Sequence, residues 1–131
     1  MKRVTRQRLE IQRVIAQAGR PLSPLEILET ARQRIPTLSL ATIYRNLREL
    51  QDARLLAPVP MPGNITLYEG HEAQAHHHHH FQCNQCRRVF DIEGCPGGLE
   101  GMLPAGFVLD RHEVTLYGTC ADCARPVSVP D

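Results

Sequence analysis

Apolar residues recur at helical spacing in three segments of the first half of the chain. The first segment, residues 5–18, starts at Thr5 as a candidate N-cap, and a Gly-Arg-Pro sequence ends it. Its predicted inward positions are Leu9, Val14, Ile15 and Ala18. The second starts with Ser-Pro-Leu-Glu at residues 23–26, which offers a serine cap, a proline at the first helical position and a glutamate for a capping box. It is predicted to run to about Arg34, with Ile27, Leu28 and Ala31 inward.

The third predicted helix begins after the cap Ser39 and has a polar outer face. Its apolar positions are Leu40, Ile43, Leu47 and Leu50, its outer face carries Thr42, Arg45, Asn46, Arg48 and Glu49, and Tyr44 lies between them. Residues 55–59 and 65–69 read as two strands around a Pro- and Gly-containing turn. Three helices and a hairpin predict a winged helix-turn-helix, whose last helix enters the DNA major groove.

The outer face of the third helix has the residue types of a DNA-reading surface. Arg45 and Arg48 suit guanine edges, Tyr44 suits a thymine methyl group, and Thr42 adds a polar contact. An ordinary solvated helix face is the alternative, and the hairpin that follows the helix makes this alternative less favoured.

The second half of the chain alternates short strands with potential metal ligands. A histidine run at 76–80 leads into the pair Cys83/Cys86, and a strand at 87–92 follows. After a loop and at most one helical turn at 99–103, a strand at 111–117 carries His112 and precedes the pair Cys120/Cys123. We predict an α+β protein with a winged helix-turn-helix domain at 1–69, a linker at 70–75 and a small metal-binding domain, clasped by zinc, at 76–131.

Charge also differs between the front and the back of the chain. Residues 1–57 hold eleven Lys and Arg against five Asp and Glu, whereas residues 58–131 hold four against nine. This asymmetry favours a polyanion-binding module joined to a cation-binding one over an ordinary mixed surface. We expect no membrane span and no signal peptide, and therefore a cytoplasmic protein. In a reducing compartment, paired cysteines are more typical of metal sites than of disulfides.

The two Cys-x-x-Cys pairs fit one tetrahedral zinc ion held by four thiolates. Such a closed site has no position for a substrate, which indicates a structural role; redox chemistry or disulfides are the alternatives. Cys95 lies outside these pairs.

The histidines are predicted to form a weaker, exchangeable site. Because strand side chains alternate, His78 and His80 share one face, and His77 and His79 share the other. A tag interpretation is disfavoured because the run is internal. A zinc-handling protein or a metallohydrolase is the rival from another class, but no His-Glu-x-x-His pattern occurs, and this rival leaves the basic half unexplained.

Several segments in this order resemble the ferric uptake regulator family of metal-dependent repressors. They are residues 39–47 (SLATIYRNL), 67–69 (LYE), 76–86, 106–107 (GF), His112 and 116–123 (LYGTCADC). The resemblance implies a homodimeric, non-enzymatic repressor of metal-homeostasis genes that binds double-stranded operator DNA and takes no small-molecule substrate. It also implies that residues 76–131 form a small α/β dimerisation domain, with a structural zinc on Cys83, Cys86, Cys120 and Cys123.

Carried onto this sequence, the resemblance also implies regulatory ligands at Glu69, His78, His80 and Asp91. A second site would use His77, His79 and His112 with Cys95 or Glu93. Zn²⁺ is the favoured signal because thiol and imidazole ligands suit it, with Fe²⁺, Mn²⁺ or peroxide sensing as alternatives.

Three departures from the family pattern affect these expectations. Residues 20–22 (RPL) stand where members often supply a histidine ligand, and the region of residues 93–106 is shorter than usual. The wing lacks basic residues, so phosphate contacts are expected from Lys2, Arg3, Arg6 and Arg8 instead.

Overall fold

The computed structural model describes residues 3–71 and 79–124, which form three helices, five strands and one 3-10 turn. The chain separates into two compact units, residues 1–76 and 77–131. Most of the predicted linker, residues 70–75, lies outside the described residues, so its boundaries stay a prediction. Among the residues described, no helix is both long and apolar enough to cross a membrane.

The first helix, α1 (Arg3–Ala18), starts earlier than predicted. Thr5 therefore lies inside the helix, and its assignment as N-cap was wrong. The predicted stripe was also wrong at Leu9, which is 50% exposed, whereas Ile11 is fully buried in its place. Val14 and Ile15 are buried as predicted.

The second helix, α2 (Pro24–Ala31), confirms the predicted capping box. The backbone N–H of Glu26 donates to Ser23 Oγ at 3.1 Å, and the Ser23 N–H donates to Glu26 Oε1 at 3.1 Å. Each contact satisfies an amide that the first helical turn leaves unpaired. The helix ends three residues before the predicted Arg34, in turns whose amides bond to the carbonyls of Thr30 and Ala31.

The third helix, α3 (Leu40–Asp52), packs one face into the core of the N-terminal unit. Ser39 caps it, because its Oγ accepts the Thr42 N–H at 3.2 Å. Two predictions were wrong: Leu40 is 37% exposed, and Asn46 is fully buried rather than outward. The three helices share one apolar cluster: Ile11, Val14, Ile15, Leu22, Ile27, Leu28, Ala31, Ile35, Leu38, Ile43, Leu47, Leu50 and Leu56.

The predicted wing is an antiparallel hairpin of β1 (Leu56–Met61) and β2 (Ile65–Gly70). Its turn uses Gly63 at φ 85° and Asn64 at φ 59°, a conformation that these two residue types adopt at low cost. Leu22 extends the hairpin by one bridge, exchanging backbone hydrogen bonds of 2.9 and 2.8 Å with Tyr68. The wing is thereby fixed to the segment between α1 and α2.

The C-terminal unit contains a three-stranded sheet in the order β4-β3-β5. Its strands are β3 (His79–Cys83), β4 (Val89–Ile92) and β5 (Thr115–Gly118). β3 pairs antiparallel with β4 and parallel with β5. A 3-10 turn at Leu99–Met102 matches the single turn predicted there. The predicted strand at 111–117 was wrong in its start, since β5 begins at Thr115 and His112 precedes it.

Candidate metal centres and DNA-facing helix

The four paired cysteines converge at one end of the C-terminal sheet. Cys83 ends β3, and Cys120 follows β5 by two residues, so the parallel pairing of these strands brings both knuckles together. The four sulfur atoms all lie within 4.8 Å of one another. Backbone bonds fix the first knuckle: the Arg87 N–H donates to Cys83 O at 3.0 Å, and the Asn84 N–H donates to Gly118 O at 2.7 Å.

Hydrogen bonds make two of these thiols unusually acidic. The backbone N–H of Cys120, and after it that of Cys86, lowers the pKa of Cys83 to about 6. The Arg88 side chain, as the largest cause, lowers the pKa of Cys86. By contrast, the hydrogen bond to Cys120 raises the pKa of Cys123 to about 12. These hydrogen bonds favour the thiolate forms of Cys83 and Cys86, and the thiolate is the form that binds metal.

The sulfur arrangement fits a tetrahedral metal ion. A Zn–S bond of about 2.3 Å places neighbouring sulfurs of a regular tetrahedron roughly 3.8 Å apart. The measured distance from Cys86 Sγ to Cys120 Sγ is 3.8 Å. The cysteines are free thiols rather than disulfides. The four cysteines therefore fit a four-thiolate centre.

A second cluster, consisting of His79, Cys95 and His112, lies on one face of the sheet. One ligand atom from each residue lies within 4.8 Å of the other two. Cys95 Sγ is 2.9 Å from His112 Nε2, and the rings of His79 and His112 are 5.0 Å apart. The Val114 N–H donates to His79 Nδ1 at 3.1 Å, which orients that buried ring.

Of the two loop residues predicted as ligands of the second site, one lies in the cluster and the other does not. Cys95 belongs to the cluster, whereas Glu93, the other loop candidate, does not. His77 lies outside the described residues.

The next residue of β3, His80, points to the opposite face, as alternation requires. His80 and Asp91 are directly paired across β3 and β4, and His80 Nε2 lies 3.2 Å from Asp91 Oδ1. Glu69 lies in the other unit, in β2 opposite Ala57. His78 lies outside the described residues.

The outer face of α3 presents the predicted DNA-reading side chains. Tyr44 is 54% exposed, Arg45 and Arg48 are exposed, and Thr42 is half-buried at the start of the helix. A cleft of about 610 Å³ borders this face, lined by Tyr44, Arg45, Arg48, Gln51, Asp52 and Tyr68. Its rim thus holds two guanidinium groups and two phenol rings.

Two of the candidate phosphate ligands, both on α1, differ in what they contact. Arg6 is exposed, and its guanidinium donates to the Arg34 carbonyl at 3.5 Å. Arg8 forms an ion pair with Glu49 of α3. Arg8 therefore links α1 to α3, a role that sequence reasoning missed. Lys2 lies outside the described residues.

Sequence reasoning also missed Arg88, which contacts the four-cysteine cluster. Its Nε donates to Cys86 Sγ at 3.1 Å, and its second guanidinium nitrogen lies 3.0 Å from Asp122 Oδ2. The available signal was a basic residue two positions after the first knuckle.

Comparison with known proteins identifies the relatives of this chain. The Ferric uptake regulator family matches residues 1–117. The transcriptional regulator FurA of Mycobacterium bovis is 31% identical over 127 residues, which cover 93% of this chain and 83% of the relative.

Two solved structures share its fold. A zinc-bound manganese uptake regulator has a TM-score of 0.72 at 22% identity and covers 91% of both chains. A zinc uptake regulator complexed with zinc and DNA has a TM-score of 0.54 at 26% identity, covering 92% of this chain and 83% of the other.

Proposed function

Because the chain belongs to the ferric uptake regulator family, we propose that it is a zinc-responsive repressor of metal-homeostasis genes. Family members are metal-responsive transcription regulators, not enzymes, and they bind operator DNA and act as dimers. Membership of the family removes the need for the metallohydrolase alternative. The proposal concerns the metal to which this chain responds and the residues that bind that metal.

The observation that carries the proposal is the cluster of His79, Cys95 and His112. Two imidazoles and a thiol are ligands that zinc prefers, whereas Mn²⁺ prefers oxygen ligands. Bond lengths of about 2.0 Å to nitrogen and 2.3 Å to sulfur place tetrahedral N and S ligands roughly 3.5 Å apart. Cys95 and His112, now 2.9 Å apart, need to separate by only a fraction of an ångström. His77 is our candidate for a fourth ligand.

For the four-cysteine cluster we propose a permanent structural Zn²⁺. Two observations support this role: the sulfur spacing suits the ion, and four thiolates leave no open position for exchange with a substrate. Binding energy at such a site is folding energy, so the C-terminal unit depends on it.

For the regulatory site proper we propose Glu69, His78, His80 and Asp91. The 3.2 Å approach of His80 to Asp91 supports the C-terminal part of this set. Nitrogen and oxygen ligands hold zinc less tightly than four thiolates do, so this site fills and empties as the metal concentration changes. Fe²⁺ or Mn²⁺ at this oxygen-containing site is the alternative signal.

The proposed control is thermodynamic linkage between metal and DNA. Ligands contributed by both domains favour one relative orientation of the domains when the ion is held, and DNA favours the same orientation. Operator binding must then raise metal affinity by the same factor by which metal raises operator affinity. Allosteric coupling of this kind is typically about 5- to 150-fold.

Dimerisation is proposed to occur through the C-terminal unit. Met102, Phe107 and Val108 are 78%, 66% and 85% exposed, and large apolar side chains in this amount are typical of a surface that a partner covers. A homodimer presents two α3 helices to neighbouring major-groove faces of a two-fold symmetric operator.

The proposal is tested by measuring operator affinity metal by metal. A DNA site is first selected from a random-sequence library with zinc-loaded protein. Fluorescence anisotropy then gives the affinity of the native chain, Cys95→Ser and His112→Ala for this site in buffered Zn²⁺, Fe²⁺ or Mn²⁺. We expect zinc to activate the native chain at the lowest free concentration, and both variants to require more zinc.

Other outcomes of this experiment favour other signals. Activation by Fe²⁺ or Mn²⁺ below the effective zinc concentration, with no effect of Cys95→Ser, contradicts zinc sensing and supports the alternative metals. Loss of iron-dependent binding after peroxide treatment identifies a peroxide sensor. Arg111→Gln serves as the control variant, because it alters the residue beside His112 without removing a candidate ligand.

A further inference from the structure

Arg88 lies between the two knuckles of the four-cysteine cluster. It precedes β4 and is half-buried. Its Nε donates to Cys86 Sγ at 3.1 Å, and one terminal nitrogen lies 3.6 Å from Cys120 Sγ and 3.0 Å from Asp122 Oδ2. One guanidinium therefore contacts the first knuckle through a sulfur and the second through a sulfur and a carboxylate.

Packing holds the side chain in this position. The guanidinium carbon is 5.5 Å from the centre of the Phe90 ring, within the range of a cation–π contact. The backbone carbonyl of Arg88 accepts the Cys83 N–H at 3.0 Å, which ties the residue to the end of β3. These two contacts orient Arg88 without using the sulfur atoms.

The positive charge of Arg88 lies beside a site that is negatively charged when it holds a divalent cation. Four thiolates around a divalent cation leave a net charge of about two negative units, and the surplus lies on sulfur. A guanidinium is permanently charged and offers several donors in a fixed plane, so it can neutralise part of this surplus and bond to sulfur and carboxylate together. Outer-shell donors of this kind strengthen the hold of a site on its metal.

We propose that Arg88 is an outer-sphere clamp that joins the two knuckles and slows the loss of zinc from the four-cysteine site. The clamp contributes no ligand to the ion. It bonds to two of the ligand sulfurs and connects segments 34 residues apart through Asp122. This proposal rests on the structural zinc proposed above.

Arg87 provides a matched control. It is the adjacent residue, carries the same charge and is exposed. Replacing Arg87 or Arg88 with glutamine removes one positive charge from the same turn, but only the Arg88 change removes donors to the sulfurs. A difference between the two variants therefore measures the clamp rather than the overall charge.

The test is the rate of zinc release from the full-length, zinc-loaded chain into an excess of a chromophoric chelator. The slow phase of absorbance reports the four-cysteine site, and mass spectrometry counts the zinc retained. Loss of outer-shell partners typically weakens metal binding by about 10- to 100-fold. We expect Arg88→Gln to accelerate the slow phase by about this factor and Arg87→Gln to leave it near the native rate.

Arg88→Lys keeps the charge but lacks the planar guanidinium, and it is measured in parallel. We expect it to release zinc faster than the native chain and more slowly than Arg88→Gln. If Arg88→Gln does not fold, the comparison of Arg88→Lys with the native chain decides the outcome. Native-like release from Arg88→Lys, or equal release from Arg88→Gln and Arg87→Gln, overturns the clamp. A native chain with no slowly released zinc instead overturns the structural zinc site on which the clamp depends.

Discussion

The two units of this chain are stabilised by different means. The N-terminal unit buries a cluster of thirteen apolar side chains contributed by three helices, the segments that connect them and the wing. Among residues 79–124, the buried hydrophobic side chains are those of Val89, Cys83 and Cys120. Packing can hold the first unit, whereas we propose that the second depends on metal at its ligand clusters and on a partner subunit. Under this proposal, metal contributes folding energy to the C-terminal unit and affects the N-terminal unit only through linkage.

Removal of the four-cysteine site is expected to have the largest effect. A structural zinc of this type contributes about 10–16 kcal/mol in small domains, more than the stability of a typical domain. Cys120→Ser should therefore unfold the C-terminal unit and abolish dimerisation while the helical circular dichroism of the N-terminal unit persists. Cys95→Ser is the control, and equal loss of dimer in both variants contradicts a special role for the paired cysteines.

A core substitution in the N-terminal unit should show the opposite pattern. Leu28 is 5% exposed and Leu25 of the same helix is 56% exposed, so the two leucines form a matched pair. Leu28→Ala should lower the free energy of unfolding by about 2–5 kcal/mol, while Leu25→Ala should stay within about 0.5 kcal/mol. Thermal and denaturant unfolding measure both. The slow phase of zinc release should keep its native rate in both variants. A faster slow phase in Leu28→Ala would show that the two units are not independent.

Substitutions on the DNA-facing side should change recognition without changing the metal sites. Arg45→Ala removes a candidate base contact from α3 and should cost about 1–3 kcal/mol at the selected site, with relaxed discrimination between sequences. Arg6→Ala removes a candidate phosphate contact and should weaken all sequences alike, with a shallower salt dependence. Competition binding at several salt concentrations distinguishes them. Equal loss of specificity in both variants contradicts the assigned roles.

The smallest effect is expected at the cap of α2. Ser23→Ala removes the acceptor for the Glu26 amide and should cost about 1 kcal/mol of stability. Ser23→Asp keeps an acceptor at the cap and serves as the control. The difference should appear in the unfolding of the N-terminal unit, with zinc retention unchanged; equal stability of the Ala and Asp variants means that the capping contact contributes nothing.

Predictability from sequence differed between the units for a physical reason. Helical periodicity and the Ser23 capping box indicated α2 and α3 because local signals and tertiary packing agree there. Asn46 was misplaced because a polar side chain was expected on the solvated face. In the structure its Nδ2 donates to the Thr42 carbonyl at 2.9 Å, which permits burial against the helix itself.

In the C-terminal unit, ligand spacing was more informative than periodicity. Spacing indicated the four-cysteine cluster, and strand alternation indicated opposite faces for His79 and His80. The resemblance had placed Cys95 or Glu93 beside His112, and the choice of Cys95 required the path of the 93–114 loop, which no repeat specifies. Arg88 was missed because its partners, Cys120 and Asp122, are brought near only by the parallel pairing of β3 with β5.

We propose that exchangeable zinc at the histidine-containing sites, rather than the zinc held by the cysteines, switches DNA binding. The direct measurement is native mass spectrometry after mild chelation, combined with operator affinity on the same sample. After chelation we predict one zinc per chain, an intact dimer and weak DNA binding. Added zinc should restore tight DNA binding in the native chain but not in the His78→Ala, His80→Ala double variant. Tight operator binding by the chain that retains only this one zinc would contradict the claim.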